Sequence, residues 1–368
     1  MTNMKTIRLK KTAFNVMHHA LGAKMVEYAG YEMPVQYKGI THEHEIARKG
    51  VGVFDVSHMG EISVQGKGSL ELVQKITSND ASKLYPGKVQ YSCMPNDTGG
   101  IIDDLLVYKI SKNDYLLVVN ASNIQKDLEW IIRHNSFGAE VTNISDSVSL
   151  LAVQGPKSVE ALQKLTDINL KKMESYTFTI GEFAHIPNVL ISATGYTGES
   201  GFEIYVENRY AAHLWETIFE AGKDLGIEPI GLAARDTLRL EMGYCLYGND
   251  INEFTSPLAA GLGWITKFTK DFIHSGFLRI EKEKGTTEKL VGFEMVEKGI
   301  PRHGYEIWDN KQQIIGMVTS GTMSPTLNKA IGMGYISVEN SKEGEDIYIG
   351  IRNKPVKAVI VKTPFIKK

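Results

Sequence analysis

The chain has 368 residues, with 41 Lys and Arg against 43 Asp and Glu, 42% hydrophobic residues and a formal net charge of -2. This balance excludes the basic footprint of a nucleic-acid binder, and no apolar run approaches the roughly 18 residues of a membrane span. The two cysteines, Cys93 and Cys245, exclude a disulfide framework and fit a reducing compartment, so a cytoplasmic protein of two or three domains is expected.

The N-terminal run Met1–Lys11 is basic but lacks an apolar core of signal-peptide length. It is short for a transit peptide, because patterned sequence begins by about Phe14. His42–Lys49 reads as a helix stopped by Gly50, Glu61–Val64 as a half-buried strand and Ser69–Ile76 as a second helix. Val89–Met94, a turn over 95–100 and Ile101–Ile110 read as a hairpin, followed by a strand at Tyr115–Val119. Asn120 is placed to cap a helix whose apolar stripe is Ile124, Leu128, Ile131 and Ile132. Strands with two helices on one side suggest an α+β unit over roughly 53–144.

A strand at Val148–Val153 and a helix at Lys157–Leu165 flank Gly155-Pro156, which lacks the rest of a dinucleotide fingerprint. Tyr210–Gly222 and Gly231–Met242 read as further helices. After about residue 285 the pattern changes to short strands: Leu290–Val296, Tyr305–Trp308, Ile314–Thr319, Ile331–Ser337, Ile347–Ile351 and Val356–Lys362. That reads as a separate all-β barrel or sandwich.

Several segments carry possible chemistry. Thr194-Gly195-Tyr196-Thr197-Gly198-Glu199-Ser200-Gly201-Phe202-Glu203 crowds three glycines and two carboxylates between two apolar strands. It is either a wide solvated hairpin loop or a loop whose backbone comes close to a ligand carrying donors. Asp103 and Asp104 interrupt an otherwise apolar strand, where neighbouring residues face opposite ways. Either one of them is poorly hydrated and functional, or one bonds the Gly99-Gly100 turn and the other faces water. Arg235 and Arg239 stand four apart on one helix face, suited to an anionic ligand or to structural pairing with Asp236 and Glu241. Glu199, at the turn, is expected to be solvated.

The remaining candidates are weaker. Cys245 lacks an assignable histidine partner and reads as a plain buried thiol. His18 with His19, and His42 with His44, do not share a helix face, so no metal site is expected. His58 either positions a substrate or caps a turn.

Taken in order, these segments resemble the T protein (aminomethyltransferase) family of the glycine cleavage system. The resemblance rests on Phe54-Asp55-Val56-Ser57-His58-Met59, Gly99 to Leu105, Val153 to Pro156, Thr194 to Glu203, Gly231 to Glu241, Leu246-Tyr247-Gly248, and Thr319-Ser320-Gly321 with Ser324-Pro325. It runs from about residue 12 to Phe365. It implies an α+β fold of three domains around a central funnel. These are a discontinuous folate-binding domain (1–52 and 145–275), a ferredoxin-like α+β insertion (53–144) and a C-terminal β-barrel (276–368).

The activity implied is transfer of a one-carbon unit from the aminomethyl-lipoyl arm of the H protein to tetrahydrofolate. The products are 5,10-methylenetetrahydrofolate and ammonia, with functional coupling to the P and L proteins. No metal is implied. By the same resemblance Glu203 clamps the pterin edge, Tyr196 lines its pocket, Arg235 contacts the folate and Asp103 is the catalytic carboxylate. Asn120, Tyr91, Met59, Tyr244 and Arg302 are expected to line the site.

Some members bring a tyrosine from a longer C-terminal tail. Here the sequence ends Pro364-Phe365-Ile366-Lys367-Lys368, and that contact is expected to be missing or supplied from elsewhere. Two relatives of the family compete. Folate-dependent demethylases carry a flavin domain for which this chain is too short. A folate-binding accessory protein of the iron-sulfur maintenance type has a Lys-Gly-Cys signature, which Gly243-Tyr244-Cys245 does not reproduce.

Overall fold

The structure is a computed structural model that describes residues 9–367. Residues 1–8 of the basic N-terminal run, and Lys368, lie outside the described residues. The chain divides into two units. The first runs through Gly60 and continues over Ile144–Gly195 and Glu199–Arg235. The second contains Glu61–Asn143, Tyr196–Gly198 and the chain from Asp236 on.

The first unit is built on a six-stranded sheet. Its strands lie in the order Phe178–Phe183, Ile186–Ser192, Gly201–Glu207, Val148–Gln154, Gly52–Asp55 and Glu228–Pro229. All neighbours are antiparallel except the last pair, where Glu228 lies opposite Gly52 in parallel register. Helix Ala211–Gly222 buries Ala211, Leu214, Trp215, Ile218 and Gly222, the i, i+3, i+4, i+7 spacing of one helix face. That face joins Leu151, Val153, Ile191 and Ile204 of the sheet in one apolar core.

A buried carboxylate organises the start of two helices here. Oε1 of Glu43 accepts the backbone N–H groups of Tyr37, Lys38 and Gly39 at 2.7–3.0 Å, and Oε2 accepts that of Gly231 at 2.7 Å. These donors belong to the residues leading into helix Ile40–Lys49, so the entry to the helix is held from its own first turn. Gly231 is held where helix Leu232–Glu241 begins, and a Cβ there would sit 2.3 Å from the Val35 carbonyl oxygen.

The second unit contains a five-stranded sheet in the order Val89–Pro95, Ile101–Ser111, Asp114–Val119, Gly60–Gln65 and Glu140–Asn143. Helices Ser69–Ile76 and Ile124–Arg133 pack on it through Leu72, Val73, Ile76, Trp130 and Ile131. Ile132, expected in the apolar stripe, is 54% exposed, and Trp130 takes the buried place instead. A closed barrel follows: Glu288–Met295, Lys329–Ser337, Ile314–Ser324, Glu306–Trp308, Asp346–Ile351 and Lys354–Val361. The mixed α+β class and the C-terminal barrel are therefore as the sequence indicates.

Two elements differ in detail. The helix expected at Lys157–Leu165 is α-helical only over Ser158–Leu162 and tightens to a 3-10 turn at Gln163–Leu165. The strand expected to stop at Thr319 continues to Ser324. Among the described residues no helix is long and apolar enough to cross a membrane.

Candidate functional site

The two aspartates of strand Ile101–Ser111 define a buried carboxyl cluster in the second unit. Asp103 is fully buried. Its Oδ1 accepts Asn120 Nδ2 at 2.8 Å and Asn123 Nδ2 at 2.7 Å, and its Oδ2 accepts the Asn120 backbone N–H at 2.8 Å. Asp104 accepts the Tyr91 hydroxyl at 2.9 Å and Asn120 Nδ2 at 2.8 Å. Asn120 therefore spends its side chain on both carboxyls and makes no capping bond to the 3-10 turn that follows it.

Neither aspartate serves the hairpin turn. Asn96 does so, with Oδ1 accepting the Thr98 and Gly100 N–H groups at 2.9 Å each. Of the two sequence readings of Asp103 and Asp104, the poorly hydrated one describes this structure.

Electrostatics follow from that placement. Burial pushes the Asp103 carboxyl up, and hydrogen bonds from its partners pull it back. Burial, with the Asp103 charge beside it, pushes Asp104 up to about 7. Burial also holds the Tyr91 phenol well above its usual value, so it acts as a neutral donor to Asp104.

In the first unit, strand Gly201–Glu207 carries Glu203 opposite Ser192 and Ala152. Glu203 is 7% exposed. Its Oε2 accepts the Thr194 hydroxyl, which lies 2.8 Å from that of Ser192. Burial raises the Glu203 carboxyl, offset by Thr194 and the Arg235 charge. His58 is buried, edge-on to Tyr28 at 5.4 Å, and burial lowers it to about 4, so it is a neutral imidazole. Met59 follows it, half-buried.

The glycine-rich run is tied to protein rather than open. A Cβ on Gly195 would meet the Gln154 side chain at 2.0 Å, and one on Gly201 the Val153 carbonyl oxygen at 2.4 Å. Glu199 is not solvated as expected. It pairs with Arg48 at 3.0 Å, with both side chains largely buried.

In the second unit, Tyr196 donates its hydroxyl to the Cys245 carbonyl and stacks on Tyr244, with ring centroids 5.8 Å apart. Arg239 is structural: it bonds Asp236 and Asp250 at 2.8 and 2.7 Å, the Tyr244 carbonyl and Ser320. Glu241 accepts from Ser324 and Thr326. Arg302 is exposed on the barrel, with Nη1 3.3 Å from the Gly321 carbonyl, outside the carboxyl cluster.

Burial pushes the Cys93 thiol up to about 12 and Cys245 well above its usual value, which disfavours the thiolate at both. No group of His, Cys, Asp or Glu among the described residues is arranged to hold a metal ion.

Sequence reasoning missed Asn123 and Asp127. Asn123 bonds Asp103, and Asp127 is fully buried one helical turn later. The available signal was an aspartate in the otherwise apolar face of helix Ile124–Arg133, spaced three and four residues from apolar neighbours. Also missed was a chain of buried polar groups in the first unit. Asp55 accepts Thr12 Oγ1 at 2.6 Å and lies 2.9 Å from His18 Nε2, whose Nδ1 is 2.9 Å from the Tyr37 hydroxyl.

Comparison with known proteins agrees along the whole chain. The family described as "GCVT N-terminal domain" matches residues 14–270, and "Glycine cleavage T-protein C-terminal barrel domain" matches 288–367. An aminomethyltransferase of Flavobacterium psychrophilum is 61% identical over 360 residues, covering 98% of this chain and all of that protein. One of Bacteroides fragilis is 58% identical over 361 residues, with the same coverage. The crystal structure of the glycine cleavage system aminomethyltransferase T from Bartonella henselae superposes with a TM-score of 0.91. It is 32% identical, over 98% of each chain.

Proposed function

Because the chain belongs to the glycine cleavage T-protein family of aminomethyltransferases, we propose that it moves a one-carbon unit from an aminomethyl-lipoyl carrier to tetrahydrofolate. The carrier in this reading is the lipoylated H protein, coupled to the P and L proteins of the same system. The observation that carries the reading is Asp103. It is a fully buried carboxyl with three nitrogen donors on it and no ion pair among the described residues.

Tetrahydrofolate supplies two amine nitrogens that bond the carbon as its bonds to sulfur and to ammonia break, two protons passing from those nitrogens to the leaving groups. Asp103 accepts a proton shed by an attacking amine and stabilises positive charge on the carbon. Asn120 fixes Asp103 through two bonds and so sets the face it presents. Tyr91, holding Asp104, supports the same cluster. Glu203 fits the edge of a pterin: the hydrogen bond it accepts uses one oxygen, and a buried carboxylate suits paired N–H donors. Arg235, Met59, Tyr196, Tyr244 and Arg302 are assigned to the same ligand. The division into residues 1–52 with 145–275, 53–144 and 276–368 belongs to this reading as well.

No covalent protein intermediate is required, which agrees with the two high thiols. The test is to mix the protein with tetrahydrofolate and an aminomethyl-loaded lipoyl carrier and to measure ammonia. Ammonia in step with methylenetetrahydrofolate is expected. Folate binding without ammonia would instead make this a folate-binding accessory protein.

A further inference from the structure

Asp127 occupies a position where a helix normally presents an apolar residue. It lies one turn after Asn123 on helix Ile124–Arg133, on the face that buries Trp130 and Ile131. Its side chain is fully buried, and among the described residues no N–H or hydroxyl donates to either oxygen. Of the charged groups acting on it the Asp103 carboxyl is the strongest, and Asn123, one turn earlier on the same helix, bonds that carboxyl at 2.7 Å. Two carboxylates repel, so a bond between two carboxyls requires a proton between them.

The surroundings decide which one holds it. Asp103 receives three N–H donors, from Asn120 twice and Asn123 once, which favour its ionised form. Asp127 receives none, which places the proton on Asp127, from where it can be donated to Asp103. The other charged or titratable groups acting on the pair are Asp104, Lys126, Tyr247 and, through Tyr247, Glu253. Lys126 acts on Asp127 as a cation, but its ammonium is engaged by the Tyr247 hydroxyl at 2.8 Å and Glu253 at 3.2 Å. Burial, with the Asp103 charge next in effect, holds the Asp127 carboxyl well above the usual range.

We propose that Asp127 is a positioning residue for the transfer reaction: it stays protonated and donates its O–H to Asp103, fixing that carboxylate's orientation and moderating its basicity. The inference rests on the reading of Asp103 as the proton acceptor. It adds a fourth donor, and the only one that is itself an acid. Asp127 does not touch the reacting atoms in this account; it acts through Asp103.

Infrared difference spectroscopy tests the protonation without any substrate. Spectra of the full chain and of Asp127→Asn are compared at alkaline pH, above the value of about 7 reached by Asp104. The wild type should show the carbonyl band of a buried carboxylic acid, shifted in heavy water and missing from the variant. The second readout is the pH profile of single-turnover ammonia release. Asp127→Leu removes the donor, and a hydrogen bond to a charged group corresponds to about one pH unit or more. Its acid limb should therefore move up by at least that much. Asp127→Asn keeps an N–H for Asp103 and should hold the limb in place, with a severalfold loss of rate.

Absence of the acid band, or an equal shift in both variants, overturns the proposal. Should Asp127→Leu fail to fold, the infrared comparison and the Asp127→Asn profile still decide. If the wild type released no ammonia while the band persisted, the transfer reading would fail and the protonation of Asp127 would stand.

Discussion

Replacing Glu203 by glutamine should separate stability from binding, with opposite signs. Glu203 sits on a sheet strand at 7% exposure, and burial raises its carboxyl above the ordinary glutamate value of 4.5. A group raised in the folded state holds its proton longer there than in the unfolded chain. Its ionised form therefore destabilises the fold, increasingly as pH rises from 4.5 toward the folded value. Thr194 and Arg235 offset this only in part. Glutamine is isosteric, still accepts from Thr194 and carries no charge, so the melting temperature at neutral pH should stay level or rise.

Binding should respond the other way. A carboxylate clamp on a ligand edge makes charge-assisted bonds of about 1.5–3 kcal/mol each. Glutamine replaces one acceptor with a donor facing a donor. The expected loss is about 2–4 kcal/mol, or roughly thirtyfold to a thousandfold in Kd for tetrahydrofolate. Scanning calorimetry and isothermal titration measure the two effects on one preparation. A lower melting temperature with unchanged affinity would instead make Glu203 a structural partner of Arg235.

Arg239→Met should be among the most damaging single changes. It leaves Asp250, fully buried, with Leu246 N–H, Thr319 and Ser320 as its donors among the described residues. The loss should be about 3–5 kcal/mol in denaturant unfolding, partly recovered by adding Asp250→Asn; a loss under about 1 kcal/mol would contradict this. Asp104→Asn should gain on the wild type as pH rises. Asp104 titrates at 3.8 when exposed and about 7 when folded, so its cost to the fold grows between those values and levels above them. A melting-temperature difference that is flat across that window would show that Asp104 is not held protonated.

The fold was legible where burial alternates with a regular period. The barrel strands and the amphipathic helix Ala211–Gly222 follow directly from such patterns. Asp103 was legible because a carboxylate in an apolar strand conflicts with its surroundings. Asp127 was not, because an aspartate on a helix ordinarily faces water, and only packing shows this one inside. Glu199 was misread for a related reason: its partner Arg48 lies 151 residues away, and local sequence says nothing of that pairing. The glycines of the 194–203 run were legible as a demand for close approach. What they approach proved to include the Gln154 side chain and the Val153 carbonyl.

The proposed transfer turns on Asp103 as the proton acceptor. Asp103→Asn preserves size and one oxygen to accept from the Asn120 and Asn123 side chains, at the cost of the bond from the Asn120 backbone N–H, while removing the basicity. Its ammonia release should be measured in a single turnover with tetrahydrofolate and aminomethyl-loaded carrier, beside its folate affinity. A rate lower by about a hundredfold or more is expected, with affinity within a few-fold of wild type. Full-rate ammonia release from a folded Asp103→Asn protein would contradict it.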